Sequence, residues 1–148
     1  MKNMKIAIAS DHAGYDVKEK VLRHLESAGH QVVDCGASSA ESVDYPQYAA
    51  AAAQKVSSGE CEQAVEFCGT GIGMSIVANK FPGVRAATCC NTFTTEMARR
   101  HNNANILCLG ARALDLQVIL ELVDLFLKTP FEGGRHTRRV EQISEFEK

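Results

Sequence analysis

Strand-like and helix-like stretches alternate along this chain. Short apolar runs mark strands, and apolar residues recurring every three or four positions mark helices. Strands are predicted at residues 4–10, 31–35, 65–68, 85–89 and 105–109. Helices are predicted at residues 15–28, 47–57, 72–80, 92–101 and 114–128. This alternation predicts an α/β fold, in which right-handed crossovers join five parallel strands with helices on both faces of the sheet.

One further helix is predicted after the break at Pro130–Gly134. Between residues 135 and 148, Val140, Ile143 and Phe146 fall on one stripe, with Arg135 and Arg139 four positions apart beside it. A short helix with a modest apolar stripe needs a surface to pack on. We therefore expect this C-terminal helix to extend to a partner subunit.

Length, charge and cysteine content narrow the class of protein. A chain of 148 residues fits a single domain, residues 1–148, that buries an ordinary core. The net charge of -2, without a long basic run, argues against nucleic-acid or membrane partners. None of the six cysteines forms a C-x-x-C pair, and no apolar run suits a signal peptide or a membrane span. We expect free thiols, no structural metal and a reducing, cytoplasmic location.

The candidate chemistry centres on the segment Cys68–Gly73. Its cysteine ends the third predicted strand, and glycines follow at positions 69, 71 and 73 before a helix begins. Open α/β sheets bind ligands at the carboxyl ends of their strands. Glycines let backbone N–H groups approach an anion, and the helix dipole favours the negative charge. The segment is thus a candidate anion-binding site with a thiol beside it.

Three familiar glycine-loop sites do not fit. A dinucleotide site has G-x-G-x-x-G after its first strand, whereas here G-x-G-x-G follows the third. A Walker A loop continues with Gly-Lys-Ser/Thr, and this chain has Gly73-Met74-Ser75. A cysteine phosphatase needs an arginine six residues after its cysteine, where Met74 stands. The alternative for Cys68 is a small apolar residue that ends a core strand.

Other polar residues are predicted on both edges of the sheet. Asp11, His12 and Arg112 follow strands and meet Cys68 at the carboxyl edge, whereas His101 and Asn102 end a helix near the opposite edge. These two could reach such a crevice from a neighbouring molecule, which indicates a homodimer with a shared site. Alternatively, His101 packs on a stripe with Phe93 and Met97. The arginines at 135, 138 and 139 suit a phosphate ester or form a solvated surface.

The motifs together resemble the B-type ribose-5-phosphate isomerases, a family that also includes galactose-6-phosphate isomerase subunits. The matching pieces span nearly the whole chain in order: Ser10–Gly14, Asp44–Pro46, Cys68–Gly73, Ala78–Lys80, Arg85–Ala86, Arg100–Asn102, Asn105, Gly110–Arg112, Phe131–His136 and Arg139–Val140. One departure is Glu66, which stands where the third strand of this family is usually apolar.

The resemblance implies a Rossmann-like three-layer αβα sandwich and an enzyme that interconverts ribose 5-phosphate and ribulose 5-phosphate through an enediolate. This reaction needs a base near the reacting carbons and hydrogen-bond donors for the oxyanion. The implied catalytic residues are Cys68 as base, His101 with Asp11 in ring opening, and Thr70 with the backbone of Gly69, Gly71, Ile72 and Gly73 at the oxyanion. Sugar oxygens are assigned to His12, Tyr45 and Asn102, and the phosphate to Arg112, Arg135 and Arg139.

The resemblance implies no cofactor and no metal, and a small sugar phosphate as the ligand. Two alternatives stay open: a hexose-6-phosphate isomerase acting on allose or galactose 6-phosphate, and a non-enzymatic module that binds sugar phosphates. The presence of Cys68, Thr70 and His101 in one chain favours a pentose substrate. Spacing alone does not give the pocket length or decide between a dimer and a tetramer.

Overall fold

The computed structural model describes residues 2–147. Its strands are β1 (Lys5–Ser10), β2 (Gln31–Asp34), β3 (Gln63–Cys68), β4 (Ala86–Thr88) and β5 (Ile106–Gly110). Its helices are α1 (Tyr15–Ser27), α2 (Tyr45–Ser57), α3 (Ile72–Ala78), α4 (Thr92–Arg100), α5 (Leu116–Lys128) and α6 (Arg135–Ser144). The predicted alternation of strands and helices is confirmed.

All five strands are parallel, in the order β2-β1-β3-β5-β4. The chain leaves β1 toward β2 on one side and leaves β3 toward β4 on the other. The neighbouring strands β1 and β3 therefore form the switch point at which open parallel sheets leave a crevice outside their carboxyl ends. Cys68 is the last residue of β3, and Asp11 directly follows β1.

Two cores fill the layers on either side of the sheet. One core joins the sheet to α1, α4 and α5, and β3 contributes Val65 and Phe67 to it. The other joins the sheet to α2 and α3, and Ala64 and Cys68 belong to it. Because side chains alternate along a strand, Glu66 faces this second, alanine-rich layer together with Cys68. The unusual glutamate does not interrupt β3, in which every side chain is buried.

Most helices and strands begin and end near the residues that were predicted to bound them. Gly29, after α1, has a φ of +93°, and Asn103, after α4, has a φ of +48°, so both adopt the left-handed conformation expected there. Asn91 caps α4, accepting a hydrogen bond from the Thr94 N–H. The strand predicted at 85–89 is shorter, because at this sheet edge Arg85 binds the Asn105 side chain through its N–H.

A buried ion pair fixes the loop that follows β2. The Lys18 side chain is fully buried, and its Nζ lies 2.8 and 2.9 Å from the two carboxylate oxygens of Asp34. Oδ1 of Asp34 also accepts a hydrogen bond from the Gly36 N–H at 2.9 Å. Charge and backbone together thus hold the start of the loop, residues 36–44, against α1.

The surface of α6 is covered only in part. His136 and Val140 are buried, whereas Ile143 and Phe146 are 48% and 84% exposed. Phe93, on α4, is 72% exposed, so the stripe that was predicted to pack His101 does not lie in the core of its own chain. Extension of α6 to a partner stays a prediction. No helix in the described residues has both the length and the apolar character needed to cross a membrane.

Candidate functional site

The Cys68 thiol lies at the carboxyl edge of the sheet with a backbone donor aimed at it. The residue is 5% exposed, and its Sγ accepts a hydrogen bond from the Gly71 N–H at 3.1 Å. Such a donor binds a negatively charged sulfur more strongly than a neutral thiol. The loop after β3 is therefore folded around the cysteine and suits a reactive thiolate.

Two glycines lock this loop to β5. Gly71 has a φ of +84°, and a Cβ there would lie 2.9 Å from the Leu109 carbonyl carbon. A Cβ on Gly110 would lie 2.8 Å from the Thr70 carbonyl oxygen. The exit loop of β5 returns two hydrogen bonds, from the Ala111 N–H to the Cys68 carbonyl and from the Arg112 N–H to the Gly69 carbonyl. The backbone of its own loop and that of β5 thus fix the position of Cys68.

The loop uses some of its own N–H groups. Besides the bond from Gly71 to sulfur, the Ile72 N–H donates to Thr70 Oγ1 at 3.2 Å. The N–H groups of Gly69, Thr70 and Gly73 have no acceptor within residues 2–147. Of the five residues predicted to bind an oxyanion, these three have backbone donors left for a ligand.

Residues from the β1 side border the same crevice. Asp11 is buried, its N–H donates to the Phe67 carbonyl at 3.2 Å, and its Oδ1 accepts from the Gly14 N–H at 3.2 Å. His12 Nδ1 accepts a hydrogen bond from the Val43 N–H at 3.2 Å. That bond links His12 to the loop that Lys18 and Asp34 hold, so the predicted site residues on β1 are positioned by α1 and by this loop.

Tyr45 and Arg112 border the glycine loop from α2 and from the exit of β5. Gly73 has no room for a side chain, because its Cβ would lie 2.5 Å from Tyr45 Cε1. A Cβ on Gly69 would lie 3.6 Å from Arg112 Cδ and 4.0 Å from its Nη1. The structure thus brings one predicted group together at the carboxyl edge, consisting of Asp11, His12, Tyr45, the 68–73 loop and Arg112.

The remaining predicted residues form a second group at the opposite edge. Helix α4 runs from the carboxyl end of β4 back toward the start of β5, and His101 and Asn102 follow its last turn. Arg135 and Arg139 lie on α6, near enough to His136 for their charges to lower its pKa. Within one chain, the strands of the sheet therefore separate His101, Asn102, Arg135 and Arg139 from Cys68.

His101 is embedded in a cluster with Glu132 and His136. The two imidazole rings stack, with their centroids 4.1 Å apart and their planes 10° apart. Glu132 Oε1 lies 3.4 Å from His136 Nε2, and Glu132 Oε2 lies 4.0 Å from His101 Nε2. The Glu132 N–H donates to the Arg100 carbonyl at 3.0 Å, which ties this carboxylate to the end of α4. Glu132 is therefore placed to orient both rings.

The cluster has the donor set of a metal site, but not the geometry of one. The three candidate ligand atoms lie within 4.8 Å of one another. A metal binds imidazole near the plane of the ring, and two nearly parallel rings share no point at bonding distance. Burial and the charge of His101 lower the pKa of His136. The stacked rings, with the Glu132 carboxylate beside them, therefore form a packed cluster and not a metal centre.

Glu132 and His136 were not among the predicted site residues, although both lie in the matched motif Phe131–His136. The available signal was their spacing, since a carboxylate and an imidazole four positions apart can meet at the start of a helix. That spacing did not reveal the stacking on His101, which depends on how α4 and α6 approach each other.

Comparisons with known proteins show the family to which the chain belongs. The model of a family described as ribose/galactose isomerase matches residues 6–143. Ribose-5-phosphate isomerase B of Escherichia coli is 42% identical, over 97% of this chain and 96% of its own. The Clostridium thermocellum enzyme of that name is 49% identical with a TM-score of 0.94, covering 96% of each chain. The Mycoplasma genitalium enzyme, solved with bound ribulose-5-phosphate, is 40% identical with a TM-score of 0.92, covering 96% of this chain and 95% of its own. The chain therefore belongs to the ribose/galactose isomerase family.

Proposed function

We propose that this protein interconverts ribose 5-phosphate and ribulose 5-phosphate, with Cys68 as the base that moves a proton between C2 and C1. The observation that carries this proposal is the Gly71 N–H aimed at Sγ of Cys68 at 3.1 Å, at the switch point of the sheet. The loop backbone thus holds the sulfur at the carboxyl edge of the sheet, where a substrate carbon can approach it. The named relatives with this fold are ribose-5-phosphate isomerases, which supports the same chemistry and a pentose substrate.

The reaction divides into ring opening and proton transfer. In ring opening, His101 gives a proton to the ring oxygen while Asp11 takes one from the anomeric hydroxyl. Cys68 then removes the proton at C2 of the open aldose, and the enediolate charge develops on oxygen beside the free N–H groups of Gly69, Thr70 and Gly73. A hydroxyl proton passes from O2 to O1, and the Cys68 thiol returns the carbon-bound proton to C1, which gives the ketose.

The other predicted residues bind the two ends of the substrate. His12, Tyr45 and Asn102 hold sugar oxygens, and Ile72 continues the helix N-terminus that faces the oxyanion. Arg112, Arg135 and Arg139 are exposed and suit a phosphate dianion, to which guanidinium groups bind bidentately. Glu132, beside His101, would hold that imidazole in the orientation needed for ring opening.

The separation of the two groups leads to a homodimer. His101, Asn102, Arg135 and Arg139 of one chain would complete the crevice formed by Cys68 of the other. Ile143 and Phe146, exposed on the same C-terminal segment as Arg135 and Arg139, supply apolar area for such a contact. A cleft of about 700 Å³ lined by Asn102, Ile143 and Phe146 lies beside them. Pairing of dimers into tetramers is a separate question of symmetry.

We also propose that the chain acts as one isomerase domain in the cytoplasm. The family match covers residues 6–143, and all elements that position the site belong to the same sheet and its helices. The six cysteines are all free thiols, which suits a reducing compartment.

Substitution of Cys68 tests the function. Cys68→Ala should lower kcat for ribose 5-phosphate about 10²- to 10⁴-fold, the usual contribution of a general base. Cys61→Ala is the matched control, because Cys61 is also a buried thiol but lies before β3. NMR detection of ribulose 5-phosphate, with circular dichroism to verify folding, measures both. Full activity of Cys68→Ala would refute the assignment, and faster turnover of allose or galactose 6-phosphate would identify a hexose enzyme.

A further inference from the structure

Glu66 places a carboxyl group in the interior of the sheet, without a hydrogen-bond partner among the described residues. Its residue is 0% exposed, and neither carboxyl oxygen forms a hydrogen bond within residues 2–147. It lies in the middle of β3, in register with Ala9 on one side and Cys108 on the other. A carboxylate in such a place is disfavoured, so Glu66 keeps its proton to a higher pH than an exposed carboxyl group does.

Cys68 is the reactive group nearest along the strand. It follows Glu66 by two positions, so both side chains leave the sheet on the α2–α3 face. Burial, and after it the negative charge of Cys68, raise the pKa of Glu66 well above its ordinary value. The charges of the two groups therefore influence each other through a region of low polarity, where charges are weakly screened.

The other groups that face Glu66 offer no compensating cation. The layer that Glu66 faces is built from apolar residues of α2 and α3, including Ala49, Ala53, Met74 and Ala78, and Tyr48 is the partly buried phenol that α2 adds to it. The neighbouring strand β5 brings the thiol of Cys108, and Cys35 follows β2; burial, with a smaller contribution from the charge of Glu66, raises the pKa of both thiols. No Lys or Arg side chain in the described residues forms an ion pair with Glu66.

We propose that Glu66 and Cys68 act as a pair that carries a single negative charge, so that Glu66 sets the fraction of Cys68 present as thiolate. Ionisation of either group opposes ionisation of the other, and the pair loses its two protons in two separated steps. This inference rests on the proposed function, in which Cys68 is the base. Glu66 touches no reacting atom, and it is a positioning residue that acts through the sulfur.

Replacement of Glu66 by glutamine tests the pair directly. Gln has nearly the same size but cannot ionise, so the charge that competes with the thiolate is removed. The rate at which iodoacetamide alkylates the Cys68 peptide, followed by mass spectrometry across pH, should have its midpoint at lower pH in Glu66→Gln. We expect alkylation near neutral pH to become about 3- to 10-fold faster.

Glu62→Gln is the matched control. Glu62 directly precedes β3, but its side chain is exposed and pairs with Lys2 at 3.1 Å. It should leave the midpoint for Cys68 unchanged. A Glu66→Gln profile that superimposes on the wild type, or that changes by one factor at every pH, overturns the inference, because the latter is what a structural effect alone produces.

A second measurement uses the reciprocity of the coupling. Cys68→Ala removes the opposing charge, so the pKa of Glu66, measured by NMR of the ¹³C-labelled carboxyl, should fall. An unchanged pKa overturns the pair, and this arm remains if Glu66→Gln fails to fold. Neither readout requires isomerase activity. Failure of the proposed function is recognised separately, as full turnover by Cys68→Ala.

Discussion

At the scale of single residues, Gly71 carries two requirements that exclude any side chain. Its φ of +84° is costly for other residues, and its Cβ would contact the Leu109 backbone. Its N–H also reaches the Cys68 sulfur. The same glycine thus determines the turn, the packing against β5 and the environment of the thiol.

Gly71→Ala should therefore cost more stability than a turn glycine with space around it. Gly59→Ala is the comparison, since Gly59 has a φ of +82° and no atom within 4 Å of its Cβ position. We expect a loss of about 1 kcal/mol at Gly59 from the left-handed conformation, and about 1–3 kcal/mol more at Gly71 from the forced contact. Urea unfolding measures both. Equal losses would show that the close contact has no energetic weight.

Glu66 should give the stability a pH dependence that is unrelated to catalysis. Its pKa in the folded chain is raised, so above the ordinary value of 4.5 the unfolded state releases the proton while the folded state keeps it. Its contribution is complete below pH 4.5 and is lost as pH rises toward the pKa of the folded state, by at most about 1.4 kcal/mol per pH unit.

Urea unfolding of Glu66→Gln and the wild type across this pH range checks that sign. The difference in free energy of unfolding between the two proteins should increase with pH in favour of Gln. A constant difference would mean that Glu66 ionises equally well in both states.

At the scale of elements, the ion pair between α1 and β2 supports the loop that reaches the site. Asp34→Asn leaves the buried Lys18 ammonium with Glu19 alone and weakens the anchor of Gly36. We expect a loss of about 2 kcal/mol, less than for a fully buried pair because Asp34 is partly exposed. KM should also rise, since the anchored loop contacts His12 through Val43.

The exposed pair of Lys55 and Glu60 provides the control for Asp34→Asn. Glu60→Gln should change stability by less than about 1 kcal/mol and leave KM unaltered. Thermal unfolding and steady-state kinetics distinguish the two variants. An Asp34→Asn protein that resembles Glu60→Gln would show that the loop does not depend on the buried charge.

The order of strands and helices could be predicted from the sequence, because the spacing of apolar residues agrees with the positions of the glycine and asparagine residues that end helices. The position of Gly29 and the fit of Asn103 to a left-handed turn follow from local chemistry, so the ends of α1 and α4 were predicted closely. The shorter β4 was not predicted, because it depends on a hydrogen bond from the Arg85 N–H to the Asn105 side chain. Strand order was not readable either, because it depends on contacts between distant segments.

At the scale of the whole molecule, sequence patterns predicted which edge of the sheet a residue lies on more reliably than which residues it contacts. Cys68 and Asp11 were expected to lie close together because each stands at the carboxyl end of a strand. In the structure those strands, β1 and β3, are neighbours. The stacking of His101 on His136 and the lone burial of Glu66 lay beyond prediction. Both depend on tertiary packing, which local periodicity does not encode.

Mixed dimers test whether each site is shared. A Cys68→Ala chain and a His101→Asn chain should each be nearly inactive alone. If the groups come from different subunits, a hybrid dimer contains one intact site and one doubly damaged site, so random mixing restores about a quarter of wild-type activity. Co-refolded, differently tagged chains allow the measurement. No recovery in purified hybrids would place both groups in one subunit.

The placement of Cys68 and His101 at opposite edges of the same sheet has a consequence for handling the protein. If neither edge works alone, specific activity becomes a function of protein concentration and falls on dilution below the dissociation constant of the pair. A substrate that binds groups from both chains would hold them together and delay that loss. Assays at nanomolar enzyme would then show a lag that shortens as ribose 5-phosphate is raised.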